Sequence, residues 1–305
     1  MTFVYSAAAL IVAALIALVA LVWWQQERIV FQPPGLSGAS ERPDVRRVEY
    51  RAADGQPLFG YLVRPAEVTA TTAAARRREL ESRESRESPA GVLLAFHGNA
   101  DLAGWGVPWA QQVARRTGWT VFLAEYRGYD GLPGVPTYDG TKLDARAAYA
   151  FVRDSLGAQP HEVALFGHSL GSAIATELAT EVSPAALLLQ SPFTSARAMA
   201  RFIITPPVVA VAWRVIARVH YDTEARVRAF DVPVHVAHGD RDLVVPVRMG
   251  RLVHAAAHVP GGLLIAHGRG HNDVPSVGDA YWTWMAGALN GSGGRRAVSG
   301  VAVTQ

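Results

Sequence analysis

The chain has no cysteine, and Lys142 is the only lysine among its 305 residues. Without thiols there are no disulfides, no thiolate chemistry and no cysteine-ligated zinc, and the redox compartment cannot be read from cysteine usage. The basic residues are otherwise all Arg, and the formal net charge is only +3. That charge is too small and too scattered to point to nucleic acid as a partner. No Gly-rich loop of the P-loop or dinucleotide type occurs, so no nucleotide or flavin cofactor is expected. His254 and His258 stand four residues apart, a spacing that can hold a metal, but no carboxylate motif accompanies them. They read as a surface pair, and no metal is expected. No internal repeat is evident, and nothing in the chain specifies an oligomeric state.

Half of the residues are hydrophobic, enough to bury one sizeable core. Their first concentration runs from Phe3 to Trp24 without a charged residue. About 20 apolar residues at 1.5 Å each span the hydrocarbon of a bilayer. Trp23 and Trp24 close the run where interfacial aromatics belong, and Gln25, Gln26, Glu27 and Arg28 follow at once. A cleaved signal peptide would have a shorter apolar region, a basic start and a small-residue cleavage site, and this segment has none of these. A buried soluble helix is the remaining rival. The reading is a single-pass membrane anchor over residues 1–28. Arg28, Arg42, Arg46, Arg47 and Arg51 all follow the span and lean the C-terminal domain toward the cytoplasm.

Residues 29–44, rich in Pro, Gly and Ser, read as a linker to a domain over 45–291. That domain opens with two β-type runs, Val45–Tyr50 and Leu58–Val63, around the turn Ala52-Ala53-Asp54-Gly55. Residues 66–90 are a low-complexity insert whose Arg and Glu-Ser-Arg runs carry too little apolar surface to pack. A solvated loop or short charged helix is favoured there over a partner-binding arm. From Val92 onward, apolar runs alternate with helical patterns: Val92–Phe96, Thr120–Ala124, Val163–Phe166, Ala186–Leu189, Val234–Ala237 and Leu263–Ala266. That alternation specifies an α/β fold, a mostly parallel sheet with helices on both faces and the N-terminal hairpin at one edge. Residues 195–230 are too long for a simple crossover and read as a small helical cover. Residues 292–305 read as a disordered tail.

In such a sheet the working residues lie past the carboxyl ends of the strands. After Val163–Phe166 comes Gly167-His168-Ser169-Leu170-Gly171, a Gly-x-Ser-x-Gly between strand and helix. This is the pattern of a nucleophile elbow, with Ser169 at its tip. A serine hydroxyl needs a base, and the base needs an acid to orient it. In this architecture they follow in the order Ser, acid, His. Val234–Ala237 leads into His238-Gly239-Asp240-Arg241-Asp242. Asp242, further past the strand end, is the favoured acid, and Asp240 is read as holding the turn or pairing with Arg241. The strand after the elbow ends in Gln190-Ser191-Pro192-Phe193 and offers no acid. Leu263–Ala266 leads into His267-Gly268-Arg269-Gly270-His271-Asn272-Asp273. His271 is the favoured base. His267 is read as a structural histidine bonded to backbone, and Asp273 as surface or capping. An oxyanion hole needs two N–H donors. Leu170 supplies one, and His97-Gly98-Asn99-Ala100 after the strand Val92–Phe96 supplies the other through Asn99. His97 is read as bracing that loop rather than as a second base.

These pieces, together with Glu125-Tyr126-Arg127-Gly128-Tyr129 and Gln190-Ser191-Pro192-Phe193-Thr194-Ser195, resemble one branch of the α/β-hydrolase superfamily. It is the branch of the Bem46-like and ABHD12-, ABHD13- and ABHD17-type hydrolases. The matching motifs span roughly residues 45–289, in the right order throughout. The resemblance implies Ser169, Asp242 and His271 as a triad, oxyanion donors at Asn99 and Leu170, and esters or thioesters of fatty acyl groups as substrates. Asp130 and Asp101 stand where that branch often has Gly, and the insert at 66–90 is unusual for it. A serine peptidase of the same fold and a catalytically idle membrane scaffold are the alternatives.

Overall fold

The computed structural model describes residues 2–35, 38, 42–69, 90–203, 217–229 and 231–293. The expected insert lies outside the described residues over 70–89, as do 204–216 of the expected cover and 294–305 of the expected tail. The first element is a helix, α1 (Thr2–Val30). Among the described residues no single helix is long and apolar enough to cross a membrane. Leu10–Leu21 and Trp23–Val30, joined at a bend of 40°, pass that test only as a pair.

The chain then forms an antiparallel hairpin, β1 (Arg46–Arg51) and β2 (Pro57–Val63). Its turn is closed by a hydrogen bond from the Gly55 N–H to the Ala52 carbonyl, with Gly55 at φ +83°. A short helix, α2 (Pro65–Thr69), follows. From there strands and helices alternate: β3 (Val92–Phe96), α3 (Val107–Thr117), β4 (Thr120–Ala124), α4 (Tyr138–Asp154), β5 (Val163–His168), α5 (Leu170–Ala179) and β6 (Leu187–Gln190). Then come α6 (Ala196–Ile203), α7 (Thr223–Val227), β7 (Pro233–Gly239), α8 (Val247–Ala256), β8 (Val259–Ala266) and α9 (Asp279–Gly293). The eight strands make one sheet in the order β1-β2-β4-β3-β5-β6-β7-β8. All pairings from β4 to β8 are parallel, and the hairpin adds the antiparallel edge.

The continuous apolar runs are explained by burial on both faces. Along β3, Val92, Leu94 and Phe96 enter a core shared with Ala145, Ala148 and Val152 of α4, Ile174 of α5 and Val253 of α8. Leu93 and Ala95 point the other way, into a core with Val113 of α3 and Tyr281, Met285 and Leu289 of α9. The last strand begins four residues before the apolar run at Leu263, because Val259 and Pro260 already pair with Pro233 and Val234 of β7, and Gly261-Gly262 lie in the irregularity that follows. Pro and Gly hide a strand from pattern reading, and an edge strand tolerates both.

Arg127, just past β4, ties three parts of the fold together. Its Nε and Nη2 donate to Asp144 of α4 at 3.0 and 2.7 Å, and its Nη1 donates to Asp54 in the hairpin turn at 2.7 Å. Asp144 is 2% exposed, so removing its partner strands a buried charge. Arg127→Ala is expected to lose about 3–5 kcal/mol of unfolding free energy. Chemical denaturation at neutral pH measures this, and Arg127→Lys should recover part of the loss through Asp144 alone.

Candidate active site

The polypeptide reverses at Ser169 between β5 and α5, with φ +52° and ψ −114°. A side chain rarely adopts this region, and its cost of about 1–3 kcal/mol persists only where neighbours hold it. The Ser169 N–H donates to the Gln190 carbonyl at 2.9 Å, and the Ser172 N–H donates to the Ser169 carbonyl at 3.0 Å. A Cβ on Gly167 would collide with the Gly171 carbonyl, and one on Gly171 with the carbonyls of Phe96 and His97. Both glycines are required by this close approach.

The structure brings the expected residues into one line. Ser169 Oγ lies 2.9 Å from His271 Nε2, and His271 Nδ1 lies 2.7 Å from Asp242 Oδ2. Because a carboxylate accepts, Nδ1 carries the proton and Nε2 faces the serine hydroxyl as an acceptor. The loops after β7 and β8 supply Asp242 and His271 from 73 and 102 positions away in the chain, counted from Ser169. Asp242 also accepts from the N–H groups of Val244 and Val245, both at 2.8 Å, and contacts His238 Nε2 at 3.2 Å. Burial pushes its carboxyl up, but the hydrogen bonds from His238, His271 and Val245 outweigh this and hold it well below the usual range.

The flanking acids and histidines divide as expected, with one change. Asp240 holds the turn after β8, accepting from the Gly268 N–H at 2.7 Å and facing His267 Nδ1 at 2.9 Å. His267 therefore pairs with a carboxylate, not with backbone, because its side chain stays exposed beside the Asp240 loop. Asp273 caps the Gly270 N–H at 2.6 Å. His254 bonds the Gly261 carbonyl and His258 faces Asp231. Among the described residues no group of three or more His, Asp or Glu could hold a metal ion.

Leu170 opens α5, so its N–H is among the first-turn donors that lack a helical partner. The His97–Ala100 turn lies against the elbow: a Cβ on Gly98 would sit 3.5 Å from Ser169 Cβ. His97 braces this turn, with Nδ1 2.8 Å from the Gly98 carbonyl and Nε2 2.7 Å from Glu125 Oε1. Both ring nitrogens face acceptors, so the ring carries two protons. Burial alone would disfavour that charge, but Glu125 outweighs it and raises the His97 pKa.

Three side chains that bear on the site are not apparent from the motifs. His168 Nε2 donates to the His271 carbonyl at 3.2 Å, and Ser191, at φ +49°, reaches the same carbonyl at 3.4 Å. His238 backs Asp242 while donating to the Val245 carbonyl at 2.9 Å. The x position of Gly-x-Ser-x-Gly gives no sign of His168's role, since the carbonyl it holds is 103 residues away. The only available signal is position: each of the three lies at the carboxyl end of a strand.

The fold and this serine–histidine–carboxylate arrangement define the class, an α/β hydrolase of the serine-hydrolase type. Residues 87–225 match the family described as serine aminopeptidase, S33. A Mycobacterium tuberculosis protein, Rv2307c, is similar, at 32% identity over 277 residues that cover 87% of this chain and 89% of that one. Protein bem46 of Schizosaccharomyces pombe is 27% identical over 79% of this chain and 78% of its own. The lysophosphatidylserine lipase ABHD12 of Danio rerio is 28% identical over 57% of this chain, which spans 49% of that protein. The fold is also that of Pyrococcus furiosus esterase Pf2001, with a TM-score of 0.59 at 17% identity over 85% of this chain and 98% of that one. The chain belongs to the Bem46 and ABHD branch of the α/β hydrolases.

Burial and the neighbouring His271 push His168 down to about 4, so the folded protein keeps it neutral. The unfolded chain takes up this proton near pH 6.5. His168 thus contributes stability that is complete above about pH 6.5 and is lost as pH falls toward 4, up to about 3 kcal/mol. His235, also pushed down to about 4, adds a parallel loss in both proteins. His168→Gln should therefore flatten, without abolishing, the fall in urea midpoint between pH 6.5 and 4. Superimposable pH profiles for variant and wild type would contradict a buried neutral His168.

Proposed function

We propose that the protein is a membrane-anchored serine hydrolase that cleaves carboxylic esters or thioesters through an acyl-enzyme. The observation that carries this reading is the unbroken relay from Ser169 Oγ through His271 to Asp242, at 2.9 and 2.7 Å. His271 Nε2 takes the Ser169 proton as Oγ attacks the acyl carbon, and Asp242 stabilises the resulting imidazolium. The carbonyl oxygen becomes an oxyanion, held by the N–H groups of Leu170 and Asn99. As the tetrahedral intermediate collapses, His271 returns the proton to the leaving alcohol or thiol, leaving acyl-Ser169. A water molecule then gives its proton to His271 and attacks the same carbon, releasing the acid and restoring the serine. No cofactor enters this scheme.

The apolar stretch of α1 and its terminal tryptophans support an anchor, and the arginines at 28, 42, 46, 47 and 51 support a cytoplasmic catalytic domain. A lipid-like acyl ester suits an anchored site, and it is the substrate class that the name of the ABHD12 relative carries. The matching family's description, a serine aminopeptidase, favours a second reading in which the same relay cleaves peptides.

A fluorophosphonate probe is expected to label the wild type at Ser169 and to leave Ser169→Ala unlabelled, with folding unchanged by circular dichroism. Absence of labelling of the folded wild type would sink the hydrolase reading. Asp242→Asn should lower kcat roughly 10³- to 10⁴-fold by destabilising the required histidine tautomer, whereas Asp240→Asn should stay near wild type. Rates on p-nitrophenyl esters and thioesters of increasing chain length, compared with amino-acyl anilides, separate the two readings. Faster anilide cleavage would overturn the ester assignment.

A further inference from the structure

We infer that the segment leaving the N-terminal helix is a working part of the active site, coupled to the oxyanion turn through the Asn99 carboxamide. The inference rests on the hydrolase reading above and adds a positioning residue to it. The two ends of the His97–Ala103 loop are fixed from within the domain. His97 is held by Glu125, and its carbonyl accepts from the Tyr126 hydroxyl at 2.9 Å, while the Ala103 N–H donates to Glu125 at 2.9 Å. Asn99 lies between these ends, beside Ala100 at φ +52°, and is held through its side chain. Its Nδ2 donates to the Val30 carbonyl at 2.8 Å. Its Oδ1 accepts from the Gln32 N–H at 2.8 Å and from the Tyr129 hydroxyl at 2.9 Å.

This match is chemical as well as geometric. Val30 is the last residue of α1, and its carbonyl has no partner within the helix. Gln32 offers an N–H just beyond the helix end. A carboxamide presents one donor group and one acceptor, so it satisfies both at once. A carboxylate of the same shape would place an oxygen against the Val30 carbonyl instead.

The docked segment is itself held firmly. Gln26 is buried, and its Oε1 accepts from the Arg218 N–H at 2.6 Å. Glu27 pairs with Arg218 at 3.1 Å and accepts from the Tyr138 N–H at 3.3 Å. Phe31 is 2% exposed and meets Tyr221 edge-on. Phe31, the third residue of the expected linker, is thus inserted into the core. Displacement of α1's end would release Asn99 and, with it, the N–H that meets the developing oxyanion.

The test uses the full-length protein in detergent, with kcat and KM measured on one short p-nitrophenyl ester. Asn99→Asp, Asn99→Ala and Gln32→Pro are each expected to lower kcat by about 10- to 100-fold, less than the roughly 10²- to 10³-fold lost when an oxyanion donor is removed outright, because the N–H is displaced and not deleted. KM should stay within about threefold, and the pH profile should keep its shape because His271 is untouched. The double variant Asn99→Ala/Gln32→Pro should be no worse than its worse single parent by more than about threefold, since the Gln32 contact is already lost in Asn99→Ala. Tyr129→Phe, which removes a single donor, should lower kcat by about 3- to 10-fold and serves if the stronger variants do not fold. Wild-type kcat in folded Asn99→Ala and Gln32→Pro, in Tyr129→Phe if they do not fold, or losses that multiply in the double variant, would overturn the coupling. Ser169→Ala separates the two levels. Loss of activity there with intact Asn99 and Gln32 variants defeats the coupling alone, whereas a fully active Ser169→Ala defeats the hydrolase reading beneath it.

Discussion

The architecture around the site depends on one strained residue. Ser169 sits at φ +52° because β5 and α5 approach too closely for any side chain at Gly167 or Gly171. The strain is offset by the sheet, since the Ser169 N–H is tied to the carbonyl of Gln190 at the end of the adjacent strand. Ser191, next along, is also at positive φ, and its N–H is tied to the Ala237 carbonyl on β7. Two neighbouring strands therefore end in strained residues, each held by the strand beside it. The serine hydroxyl is lifted clear of the sheet at the place where the loops after β7 and β8 converge.

Around that hydroxyl the charges are arranged in two layers. Asp242 accepts from two backbone N–H groups and faces two histidines, so it stays ionised although buried. On the other side of the elbow, Glu125 keeps a proton on buried His97. His168 lies between these layers and is kept neutral, which suits a group whose task is to hold the His271 carbonyl rather than to exchange protons. His97 and His168 thus hold different protonation states, since Glu125 stands beside the first ring and, among the described residues, no carboxylate bonds the second.

The strands were legible wherever both faces are buried, because a run such as Val163–Phe166 has no polar residue to interrupt it. Only where exposure allowed Pro260, Gly261 and Gly262 into a strand did its start go unrecognised. Ser169, Asp242 and His271 were legible because each follows an apolar run, in an order the fold requires. The contacts that hold them were not. His168, Ser191, Glu125 and the Asn99 side chain act on residues far off in sequence, and the motifs that contain them give no sign of those contacts. The end of α1 shows the same limit: Pro33, Pro34 and Gly35 read as a linker, yet Phe31 just before them is buried.

The sequence by itself determined the alternation of strands and helices, the elbow and which serine, histidine and aspartate stand at the ends of β5, β8 and β7, because these follow from local periodicity and from turns that admit only glycine. The tertiary structure alone decided which atoms face one another. It alone set the tautomer of His271, the neutrality of His168, the second proton on His97 and the docking of Val30 and Gln32 on Asn99. Each of these is a balance between burial and a partner brought from a distant strand or helix end, and that balance exists only after the chain has packed.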